Sequence, residues 1–239
     1  MDGSKAASRR WFDRRAGKYE GGATARWRDP VQQASLAALD LTGDDVLLDV
    51  GCGTGAASRA AGPVAKFVVG VDLAPEMIRR ATEPARAVEN VRFLVADSEQ
   101  LPFGNGAFTA VLCSNSFHHY PDPVRAVREM GRILASGGRL VIGDACADLR
   151  TARMADAVLR RIEPGHVRLY GSSELGSFLQ RAGVSRDASE ALRWGVRDRP
   201  RHRGVAASRV DRVLIPHHRL GPLPRLLSGA KERQLSAAM

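Results

Sequence analysis

Residues 46–55, VLLDVGCGTG, set an acid, Asp49, two positions ahead of the first of three glycines, Gly51, Gly53 and Gly55, with Thr54 between the last two. An apolar run that breaks into glycines and then into AASRAA at 56–61 is the pattern of a buried strand turning sharply into a helix. The glycines let backbone lie close against a ligand. Twenty-one residues beyond Gly51 a second apolar run, FVVGVD, ends in Asp72, the spacing at which a doubly wound fold sets a carboxylate on ribose hydroxyls. A third run, VRFLVA, leads into Asp97, where a carboxylate can accept from an adenine amino group. Three acids at three strand ends imply recognition of an adenosine-containing ligand.

Asp49 decides which ligand. The stretch GCGTGA also fits the loose G-x-G-x-x-G/A dinucleotide pattern, but there the loop and helix start would cradle a pyrophosphate, and a carboxylate so close would repel it. S-adenosyl-L-methionine has no phosphate, and its ammonium group is attracted by such a carboxylate. The residues favour it over NAD.

Methyl transfer from a sulfonium needs mainly in-line positioning, and a base only where the nucleophile must lose a proton. His118 and His119 follow the fourth apolar run in SNSFHHYPDP; His119 is the first candidate base and His166 the second. Trp11, Phe12, Tyr19 and Trp27 concentrate a scarce aromatic supply ahead of the first strand, as a lid over an apolar acceptor would. A second candidate wall runs from Asp148 to Tyr170 and carries His166 and Tyr170.

These residues need a frame that delivers them to one edge. Apolar periodicity predicts strands near 46–50, 67–72, 91–95, 109–113 and 139–144, and helices near 31–40, 54–61, 75–87, 123–135, 148–162 and 173–182. Pro75 and Pro123 fall at helix starts, Asp122 is a plausible N-cap, and Gly137-Gly138 is expected to end the helix over 123–135. Such alternation predicts an α/β fold, a doubly wound, mostly parallel sheet with helices on both faces.

With VLLDVGCGTG and VVGVDLAPEMI, the segments FDRRAGKYE, VRFLVADSEQLPF, FTAVLCSNSFHHYPDP and RILASGGRLVIGD make the chain resemble, over about residues 10–183, a class I S-adenosylmethionine-dependent methyltransferase. The similar branch is that of ubiquinone/menaquinone biosynthesis and related small-molecule enzymes. The resemblance implies a Rossmann-like methyltransferase fold. It also implies that Asp49 and the loop of Gly51, Gly53 and Thr54 face the methionine moiety, and that Asp72 takes the ribose hydroxyls. Leu73 would flank the adenine, Asp97 and Ser98 lie at its edge, and Ser114 close the cofactor pocket. His119 falls where the family often has a histidine, and the insert at about 145–175 is where the family commonly lines its acceptor site.

Length and composition fit one globular domain: 239 residues, 44% hydrophobic, 5% aromatic. No apolar stretch reaches membrane-spanning length and the first residues lack the apolar middle of a secretory signal, so a cytoplasmic protein without membrane insertion is expected. Cys52, Cys113 and Cys146 have no metal-like spacing; buried free thiols are expected, with no metal and no covalent nucleophile. SNSF stands where amino-directed DNA methyltransferases carry an Asn/Asp-Pro-Pro-aromatic motif, and no Pro-Cys pair suggests a cytosine nucleophile. A small-molecule acceptor is favoured over nucleic acid: a phenol, enol, amine or polyketide-like compound, with a peptide amine as a further option. The sequence leaves the oligomeric state open.

Charge supplies the contrary signal. Residues 197–239 hold ten Lys/Arg against three Asp/Glu, a local +7 of the chain's +10, so a nucleic-acid-associated protein is the alternative function. The tail lacks aromatic interleaving, which favours a solvated extension. After RAGV at 181–184 two closing strands are expected; SRDASEALRWGV begins one, and VRDRPRHRG then abandons strand alternation. The closing strands are therefore expected to be incomplete, with a methyltransferase domain over 1–196, an N-terminal helical lid over 1–40, and a poorly ordered Pro/Arg-rich tail over 197–239.

Overall fold

The computed structural model describes residues 3–20, 25–148, 150–184, 190–194 and 209–216. Strands β1 (Val46–Val50), β2 (Phe67–Asp72) and β3 (Val91–Val95) take the bounds expected from the apolar runs, and β4 (Phe108–Ser114) is a residue longer at each end. With β5 (Leu134–Gly143), β6 (Glu190–Trp194) and β7 (Arg209–Pro216) they form one sheet in the order β3-β2-β1-β4-β5-β7-β6. Every pairing in it is parallel.

Period-two alternation divides the strand side chains between two cores. Leu48, Val50, Val111, Cys113, Leu140 and Ile142 enter one, with residues of the helices α5 (Pro123–Ile133) and α7 (Ser172–Arg181). Leu47, Val68, Ala110, Leu112 and Val141 enter the other, beneath α2 (Ala25–Ala38) and α3 (Ala56–Ala61). Helices thus cover both faces, as a parallel sheet requires. The remaining helices are α1 (Gly3–Arg15), α4 (Pro75–Thr82) and α6 (Arg150–Ile162). The strand order reverses between β1 and β4, and a crevice opens at the carboxyl ends there.

Local chemistry sets the element ends. Pro75 and Pro123 stand at the first helical positions, and the Asp122 side chain caps α5 by accepting from the Arg125 amide at 3.0 Å. The helix expected over 75–87 stops at Thr82, and a 3-10 turn follows over Pro84–Ala87, since proline cannot continue the amide ladder. Gly137-Gly138 do not end α5: the helix stops at Ile133, and both glycines lie within β5, whose Leu134 pairs with Phe108 before the register shifts.

The expectation of incomplete closing strands is corrected. Both β6 and β7 are present, and β7, drawn from the basic tail, lies between β5 and β6. The sheet therefore extends past residue 196. The rest of the tail, 197–208 and 217–239, lies outside the described residues. Among the described residues no helix is long and apolar enough to cross a membrane.

Candidate active site

The glycine loop after β1 takes its shape from three left-handed residues, Gly51, Gly53 and Gly55, at φ +73°, +55° and +80°. A side chain at Gly51 would run into Ser116 and Tyr120. Amides of Gly51 and Cys52 donate to the Val71 carbonyl at 2.8 and 2.9 Å, tying the loop to β2. Asp72, the last residue of β2, accepts from the Gly53 amide at 3.0 Å and the Ala74 amide at 2.9 Å. Each of its oxygens keeps acceptor capacity for a ligand hydroxyl. Burial, against those amide bonds, pushes its carboxyl up to about 6.

A cleft opens at this loop, lined by Gly51, Gly53, Asp72, Leu73, Asp97 and Ser98 together with Phe12, Tyr19 and His119. The end of β2 and the segments that follow β1, β2, β3 and β4, with α1 and the turn after it, thus bring together nine of the residues expected from sequence. A smaller pocket is lined by Thr54 of the loop, Ser114 at the end of β4, and Tyr19, which places two more of the expected residues next to the glycine loop.

Other expected residues stand elsewhere. Asp49 is buried and does not line the cavity; it accepts from Ser58 Oγ at 2.6 Å, and burial pushes it up to about 6. Trp11 stacks edge-on against Phe12 and lies under the Arg15 guanidinium, one position from the cavity lining. Tyr170, expected at the acceptor wall, packs into the core against Phe117 and Phe178, because a bridge from Cys146 to Tyr170 pulls it inward. Trp27 lies on α2 and its side chain is outside the described residues. The three cysteines are buried and free.

Helix α1 roofs the cavity. Lys5 reaches from it to Asp97 at 2.7 Å and to Glu99 at 2.5 Å, and Phe12 meets the His119 ring at 4.8 Å. Burial opposes the charge on Lys5, but the two carboxylates outweigh it and raise its pKa. Burial pushes the Tyr19 phenol up to about 12, although the Arg28 guanidinium lies over its ring. Sequence reasoning missed Lys5, whose place above Asp97 has no local signal.

It also missed Asn115. This residue follows β4 with φ +53°, unusual for a side-chain-bearing residue, and lines both pockets. Its Nδ2 donates to the Arg28 carbonyl at 3.0 Å and to Ser114 Oγ at 3.3 Å, while its buried Oδ1 has no partner among the described residues. An orphaned acceptor beside the glycine loop suits a donor on a ligand.

Behind His119 stand His118 and His166. His118 Nδ1 donates to Asp144 at 2.7 Å, His119 Nδ1 to the Gly165 carbonyl at 2.9 Å, and His166 Nε2 to Asp156 at 2.7 Å. Burial works against the proton on His118, yet Asp144 prevails and raises its pKa; burial lowers that of His119 well below the usual value and also lowers that of His166. His166 does not line the cavity; His119 does.

A family model described as a methyltransferase domain matches residues 48–142. The 27-O-demethylrifamycin SV methyltransferase of Amycolatopsis mediterranei is 32% identical over 186 residues, 75% of this chain and 66% of that protein. A demethylmenaquinone methyltransferase of Thermus thermophilus is 42% identical over 126 residues, 51% of this chain and 54% of that protein. The crystal structure of YcgJ from Bacillus subtilis is similar with a TM-score of 0.60 and 30% identity, covering 64% of this chain and 68% of that one. The match spans about half to two thirds of the curated relatives' own length. The chain belongs to the class I S-adenosylmethionine-dependent methyltransferases, in the kind similar to those of quinone biosynthesis. Its cofactor is S-adenosyl-L-methionine.

Proposed function

We propose that the protein transfers the methyl group of S-adenosyl-L-methionine to an oxygen, nitrogen or carbon nucleophile of a small molecule of natural-product or quinone-like character. The observation that carries this reading is one cavity lined by Asp72, Leu73, Asp97 and Ser98 together with Phe12, Tyr19 and His119. Asp72 accepts the ribose hydroxyls, Leu73 flanks the adenine, and Asp97 with Ser98 meets its edge. Gly51, Gly53, Thr54, Ser114 and Asn115 surround the methionine end, where the bare Oδ1 of Asn115 accepts from the ammonium group. Asp49, behind the loop, favours the same positive charge electrostatically.

The acceptor enters against the aromatic wall. Its nucleophile attacks the methyl carbon in line with the sulfur; the new bond forms as the C–S bond breaks, and that electron pair returns to sulfur, leaving neutral S-adenosylhomocysteine. His119 Nδ1 keeps its proton and donates it in a hydrogen bond to the Gly165 carbonyl, so neutral His119 offers the Nε2 lone pair to a proton leaving an O–H or N–H acceptor.

Calorimetric titration with S-adenosylmethionine, S-adenosylhomocysteine and NAD tests the cofactor assignment, followed by labelled methyl donor with a panel of phenols, enols and amines. Binding of the first two ligands and label in a small acceptor is the expected outcome. Binding of NAD instead, or label only in RNA or DNA, overturns the reading.

A further inference from the structure

The histidines at 118, 119 and 166 come from two segments nearly fifty residues apart, yet one nitrogen of each lies within 4.8 Å of one nitrogen of the others. Their rings pack with centroids 4.0 Å apart for His118 and His119, and 5.2 Å for His118 and His166. Each ring spends one nitrogen on a fixed acceptor: a carboxylate of Asp144 or Asp156, or the Gly165 carbonyl. None of these acceptors can donate, so the proton of each neutral ring sits on that nitrogen. The lone pairs then belong to His118 Nε2, His119 Nε2 and His166 Nδ1. The last is buried on a side chain with no exposure at all and has no hydrogen-bond partner among the described residues. A buried imidazole nitrogen without a partner is costly unless something occupies it.

An imidazole held by a carboxylate or carbonyl on one nitrogen and bare on the other is how metal-ligating histidines are oriented. Glu163 adds negative charge, its Oε1 3.7 Å from His119 Nε2. We propose that His118, His119 and His166 form a binding site for a divalent transition-metal ion of the zinc type, with Glu163 or a water as fourth ligand. Three neutral imidazoles suit zinc, iron or nickel rather than magnesium or calcium. Zinc bound at about 2.0–2.1 Å from each nitrogen sets the nitrogens about 3.4 Å apart, so ligation requires the rings to draw together. Because His119 lines the cavity, the open coordination position is reached from the acceptor side. This inference rests on the reading of that cavity as the acceptor site. In the loaded protein the acceptor's oxygen or nitrogen would displace the fourth ligand, the ion would lower that group's pKa, and the released Glu163 carboxylate or a water would take the proton in place of the His119 nitrogen.

The test uses the full chain, stripped with a chelator and titrated with Zn²⁺ by calorimetry and with Co²⁺ by visible absorption. One equivalent of each, tetrahedral-type cobalt bands and a Tm raised by Zn²⁺ are expected. His166→Ala and the milder His166→Gln should each weaken Zn²⁺ binding by at least about tenfold. S-adenosylhomocysteine affinity, measured on the same samples, reports that the variants are folded. Absence of Zn²⁺ binding in the parent protein, or unchanged binding in both folded His166 variants, overturns the proposal. A protein that binds S-adenosylhomocysteine but no zinc fails this inference alone, and one that binds zinc but not the cofactor fails the methyltransferase reading alone.

Discussion

Asp72 is fixed by two backbone amides and stands at the cavity wall with acceptor capacity left over. Replacing it with alanine should weaken S-adenosylhomocysteine binding by about 1–3 kcal/mol in calorimetry, the scale of a lost charge-assisted hydrogen bond. The same residue makes binding depend on pH. Its carboxyl titrates at about 6 in the free protein, and a ligand that needs the carboxylate must expel a proton below that value. Affinity therefore rises with pH up to about 6 and levels off above it; one unit below, only about a tenth of the carboxylate is ionised and affinity falls about tenfold. A flat profile from pH 5 to 7 would show that Asp72 does not meet the cofactor as an anion. The acids and glycines were legible in the sequence because a strand end and a tight turn each carry a local signature. Asn115 was not, since its unpartnered oxygen depends on Arg28 and Ser114 taking its other end.

At the scale of elements, the loop from β1 to α3 and the roof α1 together make the cavity. Gly51 sits at φ +73°, and an added Cβ would press on Ser116 and on the Tyr120 hydroxyl. Gly51→Ala should cost about 1–3 kcal/mol of stability in denaturant titration and abolish cofactor binding, because the left-handed backbone and the contact are strained at once. An unchanged midpoint would mean that the loop relaxes freely. Strands β1 to β3 were legible to the residue, since each is a mainly apolar run of five or six residues bounded by turn residues. The start of β5 was not: the glycine pair reads as a helix stop, whereas pairing of Leu134 with Phe108 draws those residues into the sheet. Tyr170 shows the converse limit, an aromatic in a polar stretch that a bridge to Cys146 places in the core.

Across the whole molecule, the sheet is completed by a strand from the segment whose charge made it look unlike a fold. Strand β7 is the neighbour of both β5 and β6, so a chain ending at residue 196 leaves β5 with an open edge and β6 without a partner. Such a truncation should lower Tm by about 10 °C or more, given about 2–4 °C per kcal/mol for a domain of this size; an unchanged Tm would show that β7 adds nothing to stability. Sequence missed β7 because arginines interrupt its apolar alternation and backbone pairing, which side-chain pattern does not report, holds it in place. The roof carries a different consequence. Lys5 is joined to Asp97 and Glu99 over the same crevice that must admit one cofactor and release another in every cycle. Lifting α1 away from it means separating an ammonium from two carboxylates, so the helix over the crevice is held down by a small electrostatic latch.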